Sequence, residues 1–223
     1  MLTKIRGAML SNLLVFICLV AIVLVIGMRD VSVGTDTVNY VRNYYRVRDC
    51  ACLEGGFEPG FQILTFLVAS TGVSSATYLS ILAALLVLLV WLFLNNMSQM
   101  FDYSNVIVWK TRLATLIFIL ISPFFFNASV NVLRHGLSAF FLLNTATFFL
   151  RNQWSRVILF GLLAVLFHRT ALLYLPLVTV LNVINTERRR RVFYIVLLGL
   201  AAAYSVGLSE EIVKVEMRTK SWT

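Results

Sequence analysis

The chain has 223 residues, of which 60% are hydrophobic and only 13% charged, with a formal net charge of +9. A water-soluble domain carries about a quarter charged residues, so the composition excludes a soluble globule and points to a membrane bundle with spans of roughly 20 residues each. The basic excess reads first as membrane anchoring by the positive-inside rule. No basic stripe alternates with exposed aromatics, which argues against nucleic acid as a partner.

Lys4 and Arg6 precede an apolar run, Ala8 to Met28. The run is too long for a signal-peptide core and no small-residue cleavage site follows, so it reads as an uncleaved span with its N-terminus in the cytoplasm. A polar island follows on the outer side, Arg29 to Tyr45, RDVSVGTDTVNYVRNYY. Gly34 permits a turn, and Thr35 or Asp36 can cap the helix beginning there. From that cap Asp36, Tyr40, Asn43 and Tyr44 share one face, with Val38, Val41 and Tyr45 nearer the other. This predicts an amphipathic helix on the membrane surface within an outer loop, 29–58, ending before Gly55 and Gly56. Cys50 and Cys52 are too few for a zinc site. They can pair with each other or with another chain in an oxidising compartment, or play no functional part.

Phe57 to Ala69 covers about 20 Å as a helix, against a hydrocarbon core of about 30 Å. It is expected to be re-entrant or interfacial. Ser70 to Ser75 is a polar break and Ala76 to Leu94 a span. Asn95 to Lys110 is a polar loop. Arg112 to Phe126 is the next span, with Pro123 near its end. Asn127 to Arg134 is a second polar break, and His135 to Leu150 spans back to a basic loop, Arg151 to Arg156. Val157 to Ile184 is too long for one crossing and is interrupted by His168, Arg169 and Thr170. The arginines Arg188 to Arg191 belong in the cytoplasm, as do Arg151 and Arg156. The chain therefore crosses twice between them, which puts His168 at an outer helix turn, and Pro176 lets the second helix bend. Val192 to Leu208 is the last span. The expected fold is an all-α polytopic membrane protein, one transmembrane domain over 1–223. It has about seven crossings plus the short re-entrant or interfacial piece.

The outer arginines Arg29, Arg42, Arg46, Arg48, Arg134 and Arg169 break the orientation rule. Arg29 beside a glycine turn and the Asp36 cap could hold a phosphate, or form a loop salt bridge. Glu58 opens a segment at the membrane boundary and could serve as general acid or base, or complement a helix dipole. Arg134 at the start of an apolar helix is costly unless hydrated or paired, and Asn127 and Asn131 could line the same cavity; the alternative is a snorkelling arginine. His168, with Arg169, could move a proton or donate to a phosphate, or be a polar turn pair. His135 and His168 have no acidic cluster beside them, so no metal site is expected. No P-loop, serine-hydrolase, zincin or dinucleotide motif is present.

Four motifs stand in order: Arg29, Gly34-Thr35-Asp36-Thr37 and Tyr40; Glu58 to Phe61 (EPGF); Asn131 to Ser138 (NVLRHGLS); and Phe167 to Leu172 (FHRTAL). Together they resemble the EpsG family, relatives of the Wzy polysaccharide polymerases, although His135 stands where that family has glutamine. The resemblance implies a multi-pass, GT-C-like glycosyltransferase of the bacterial inner membrane that needs no cofactor. Its substrate would be undecaprenyl-pyrophosphate-linked oligosaccharide, joined on the outer face into exopolysaccharide, capsule or O-antigen. Membrane lipid and other polysaccharide-assembly proteins would be its partners. It implies that Arg29, Asp36, Tyr40, Glu58, Arg134 and His168 surround one outward-facing cavity. The chemistry then suggests Asp36, Glu58 and His168 as catalytic residues, with Glu58 or Asp36 as base, and Arg29, Tyr40, Arg134 and Arg169 as substrate-binding ones. Family members are longer, with further spans, so a C-terminally truncated member is expected. The competing readings are a flippase or transporter for lipid-linked oligosaccharide, and a non-catalytic component of envelope assembly.

Overall fold

The computed structural model describes residues 16–53, 56–100 and 114–183. The leader with Lys4 and Arg6, most of the loop after Asn95, the Arg188 to Arg191 cluster and the Val192 to Leu208 span lie outside the described residues. The chain forms two compact units, 1–176 and 177–223, and the candidate site residues all lie in the first.

The described residues form helices joined by turns, with no strand among them. They are α1 (Phe16–Gly27), α2 (Thr37–Cys50), α3 (Pro59–Ala69), α4 (Ser75–Ser98), α5 (114–121), α6 (Pro123–Val130), α7 (Leu133–Leu150), α8 (Trp154–Phe167) and α9 (Ala171–Val183). Local chemistry sets several boundaries. Ser74 caps α4 by accepting from the Thr77 backbone N–H. Ser122 caps α6 in the same way through Phe125, with Pro123 in the first turn. A proline there has no N–H to lose and a φ already suited to a helix. Pro123 therefore starts a new helix rather than closing the span before it. The polar break expected over Asn127 to Arg134 shrinks to Asn131 and Val132, because α6 runs to Val130 and α7 begins at Leu133.

Among the described residues α4 alone is long and apolar enough to cross a membrane by itself, with a mean hydropathy of 2.6; α1, α3 and α8 are apolar and shorter. The bundle is organised around α7. Its Ser138 hydroxyl donates to the Ala164 carbonyl of α8 at 2.7 Å. A Cβ on Gly136 would lie 2.9 Å from the Ala128 carbonyl, so only glycine lets α6 and α7 approach this closely. A Cβ on Gly60 would likewise meet Leu166 at 2.8 Å, which brings the start of α3 against the end of α8.

The far end of α7 is tied to α4 by amides. Buried Asn144 donates to the Leu89 and Phe140 carbonyls at 3.0 and 2.8 Å, and Asn96 donates to Asn144 at 3.2 Å. Arg151 closes this chain with a 3.0 Å bond to Asn96. The expected surface helix is α2. Tyr40, Val41, Asn43, Tyr44 and Val47 are buried while Val38 and Tyr45 are exposed. Val41 thus packs inward with the tyrosines, not outward with Val38. Tyr44 stacks on Tyr78 at 4.6 Å, and its hydroxyl donates to the Val73 carbonyl. Asn43 and Gln62 exchange two 3.3 Å amide bonds. The α3 segment thus meets α2 near its start and again just past its end.

Candidate functional site

Three helix ends meet at one end of the bundle. Glu58 is the residue before α3, Arg134 sits in the first turn of α7, and His168 follows the last residue of α8. The close backbone approach at Gly60 sets the first against the third. Glu58 is 6% exposed. Arg134 Nη1 donates to Glu58 Oε2, and His168 Nδ1 lies 2.8 Å from Glu58 Oε1. That second contact is close but is not aligned as a hydrogen bond. The His168 and His135 rings lie 3.6 Å apart. The Arg134 guanidinium sits 4.3 Å over the Phe57 ring and 5.8 Å from that of Tyr40. A cation on an aromatic face is stabilised by the ring quadrupole.

Electrostatics sort these groups. Burial pushes the Glu58 carboxyl up, but its own backbone N–H, Arg134 and His168 together outweigh that and hold it below the usual carboxylate range. Burial pushes His168 below its ordinary 6.5; Glu58 pulls it back up, and Arg134 adds to the lowering. His168 is therefore held toward its neutral form, and Arg134 is the guanidinium that touches Glu58. Tyr40 is pushed up to about 12, by burial first and by Asp36 second. It remains a hydroxyl donor, and its bond to Asp36 Oδ2 is 3.3 Å.

Beside this cluster opens a cavity of about 230 Å³, lined by Asp36, Asn39, Arg42, Asn43, Arg46, Gly56, Phe57 and Arg134. Glu58 and His168 are not in its wall. Asp36, Asn39, Asn43 and Arg46 recur at steps of three and four, so they form one stripe along α2, and Arg42 lies one turn before Arg46. Three guanidinium groups face a single carboxylate, which makes the wall cationic. Arg134 Nε and His168 Nδ1 are buried without a hydrogen-bond partner among the described residues. Arg29 Nε and Asn127 Nδ2 lack partners as well, away from the cavity wall.

The sequence-predicted residues thus divide. Asp36 and Arg134 line the cavity, Glu58 holds Arg134 from behind with His168 against its other oxygen, and Tyr40 lies under Asp36. Arg29 goes elsewhere. It donates to the Ile26 carbonyl, to Thr37 Oγ1 at 3.0 Å and to the Val130 carbonyl at 3.3 Å. Thr37 donates to the same Val130 carbonyl at 3.0 Å. Arg29 staples α1, α2 and α6 together. Asn131 supports the same junction by accepting from the Thr35 N–H at 3.2 Å. Arg169 is exposed on the turn and outside the cavity wall. Asn39, Asn43, Arg42 and Arg46 were not singled out as site residues. The signal that finds them is the polar spacing along α2, which runs beside the more conspicuous tyrosine face.

Fold and site together define an apolar, all-helical protein with a cationic cavity at one end of its bundle. The chain belongs to the EpsG family, whose model matches residues 12–220, nearly its whole length. That membership places it in polysaccharide biosynthesis. No curated protein and no solved structure matches the chain.

Proposed function

We propose that the chain is a multi-pass membrane glycosyltransferase of GT-C-like architecture, crossing about seven times. It joins undecaprenyl-pyrophosphate-linked oligosaccharide units into exopolysaccharide, capsule or O-antigen on the outer face of the bacterial inner membrane. The observation that carries this reading is Arg134, clamped by Glu58 at the wall of a cavity that also presents Arg42 and Arg46. With Arg134 balanced by Glu58, Arg42 and Arg46 stand beside Asp36 in the wall, so the cavity is rich in guanidinium groups of the kind that a diphosphate diester needs. Arginine forks bind phosphate oxygens bidentately, and cations placed where leaving-group charge develops lower the barrier without a metal.

In this reaction an acceptor hydroxyl attacks the anomeric carbon of the donor. The bond from that carbon to the pyrophosphate oxygen breaks, and the lipid pyrophosphate leaves with the electron pair. Asp36, the carboxylate in the cavity wall, takes the hydroxyl proton, and Tyr40 orients it. Glu58 is a positioning residue, because a carboxylate stabilised in its charged form is a weak base. The flippase reading needs a polar path through the bundle. Instead, the deeper polar groups are bonded to one another or to backbone, as Thr65 is to Tyr78 at 3.0 Å and Ser138 to Ala164.

The test is polymer formation in cells lacking the chain and supplied with wild type, Arg134→Ala or Arg134→Lys, with membrane insertion checked for each. Loss of polymer with Arg134→Ala and partial recovery with Arg134→Lys is expected. Unchanged polymer length in correctly inserted Arg134→Ala protein would overturn the reading.

A further inference from the structure

Cys50 and Cys52 are joined by a disulfide. Cys50 is the last residue of α2, and Ala51 has φ 52°, the left-handed region that residues with a Cβ seldom occupy. Cys50 is exposed and Cys52 half-buried, so the bond lies at the surface. On one side of it in the chain stands Arg46, and on the other stand Gly56 and Phe57; all three line the cavity. Phe57 is the ring beneath Arg134 and packs against Tyr40 and Phe61 at 5.7 and 5.4 Å. The disulfide therefore ends α2 sharply, one turn beyond Arg46 in the cavity wall. Such a bond removes conformations the chain would otherwise sample.

We propose that Cys50 and Cys52 are a thiol–disulfide exchange site on the exported side of the membrane, whose oxidised form fixes the end of α2 that carries Arg46 in the cavity wall. Structural disulfides persist in exported, oxidising compartments and not in the bacterial cytoplasm. In the oxidation one cysteine thiolate attacks the disulfide of an exported dithiol oxidase and displaces one of its sulfurs. The second cysteine thiolate then resolves the mixed disulfide. Two electrons pass to the oxidase, which leaves as a dithiol, and the two cysteine protons are released or taken up by it. Reduction by an exported dithiol reverses each step. The consequence for polymer length rests on the polymerase reading; the exchange site itself does not.

The experiment uses the full chain in a Cys18→Ser background, because Cys18 is a free, exposed thiol. Intact spheroplasts are treated with a membrane-impermeant maleimide, with and without prior reduction. Labelling only after reduction, without permeabilisation, is expected, and Cys50→Ser should expose Cys52 to label with no reductant. Labelling of the pair without reduction would overturn the disulfide. Labelling that needs permeabilisation would overturn its exported location. Polymer length is then compared for Cys50→Ser/Cys52→Ser and wild type. Loss of the longest chains with normal insertion is expected, and unchanged length would overturn the role at the cavity wall. Should Arg134→Ala leave polymer intact, the polymerase reading fails while the labelling result stands.

Discussion

The two ends of α7 are both polar and both buried, yet they are built differently. At the Asn144 end an amide chain runs from Asn144 through Asn96 to Arg151, and none of the three leaves a buried polar atom unpaired among the described residues. At the Arg134 end the partners are charged, Arg134 Nε and His168 Nδ1 are left over, and a cationic cavity lies alongside. A satisfied network fixes helix packing and asks for nothing more. An unpaired guanidinium nitrogen on a residue that lines a cavity is suited to a ligand that completes it. Orphaned atoms alone are insufficient as a signal, since Arg29 and Asn127 have them away from the cavity. Charge, a missing partner and open space occur together at Arg134.

The difference can be broken by substitution at each end. Arg134→Ala should have the largest effect. Removing a cation from a developing leaving-group charge costs on the order of 100-fold or more in rate. It also leaves Glu58 buried without its full counter-charge, which costs about 3–5 kcal/mol of stability. Polymer length and thermal unfolding in detergent measure the two losses separately. Next come Arg42→Ala and Arg46→Ala, which remove one charge-assisted contact each. Each should raise KM for lipid-linked substrate about tenfold. Asn144→Leu tests the opposite end. It strips partners from Asn96 and two carbonyls, so stability should fall by about 1–3 kcal/mol while turnover per folded molecule holds. If Asn144→Leu abolishes turnover in folded protein, the division between the two ends is wrong.

The smallest effect is that of pH. Both Glu58 and His168 are held below their ordinary values of 4.5 and 6.5. A group depressed in the folded state contributes stability above its unfolded pKa and loses it as pH falls through the folded one. Unfolding temperature should therefore decline as pH drops below about 6.5, and further below about 4.5. His168→Gln should lessen the first part of that decline and leave the second.

Arg134, Glu58 and His168 were legible in the sequence because a charged or titratable side chain in an apolar setting is expensive unless it meets a partner. Their meeting at one end follows from the short α3 and from the α8–α9 turn, both visible in hydrophobic run lengths. Arg42 and Arg46 were harder to place. On α2 the eye follows Tyr40 and Tyr44, which prove to be the buried face, while the cavity stripe of Asn39, Asn43 and Arg46 runs beside it. Val41 was misplaced for a related reason: α2 buries a wider arc than a surface helix on lipid would. Arg29 was anticipated as a phosphate ligand, but sequence cannot show that the Val130 carbonyl, a hundred residues away, takes its donors. The sequence alone leaves Pro123 near the end of a span, because a cap such as Ser122 is recognised only once the helix after it is known.

The most direct measurement is polymerisation by purified protein in lipid nanodiscs, supplied with one oligosaccharide repeat on undecaprenyl pyrophosphate. Wild type should build a ladder of products and release undecaprenyl pyrophosphate, and folded Arg134→Ala should build none. A full ladder from folded Arg134→Ala, or movement of the lipid-linked sugar across a bilayer with no new glycosidic bond from wild type, would contradict the account.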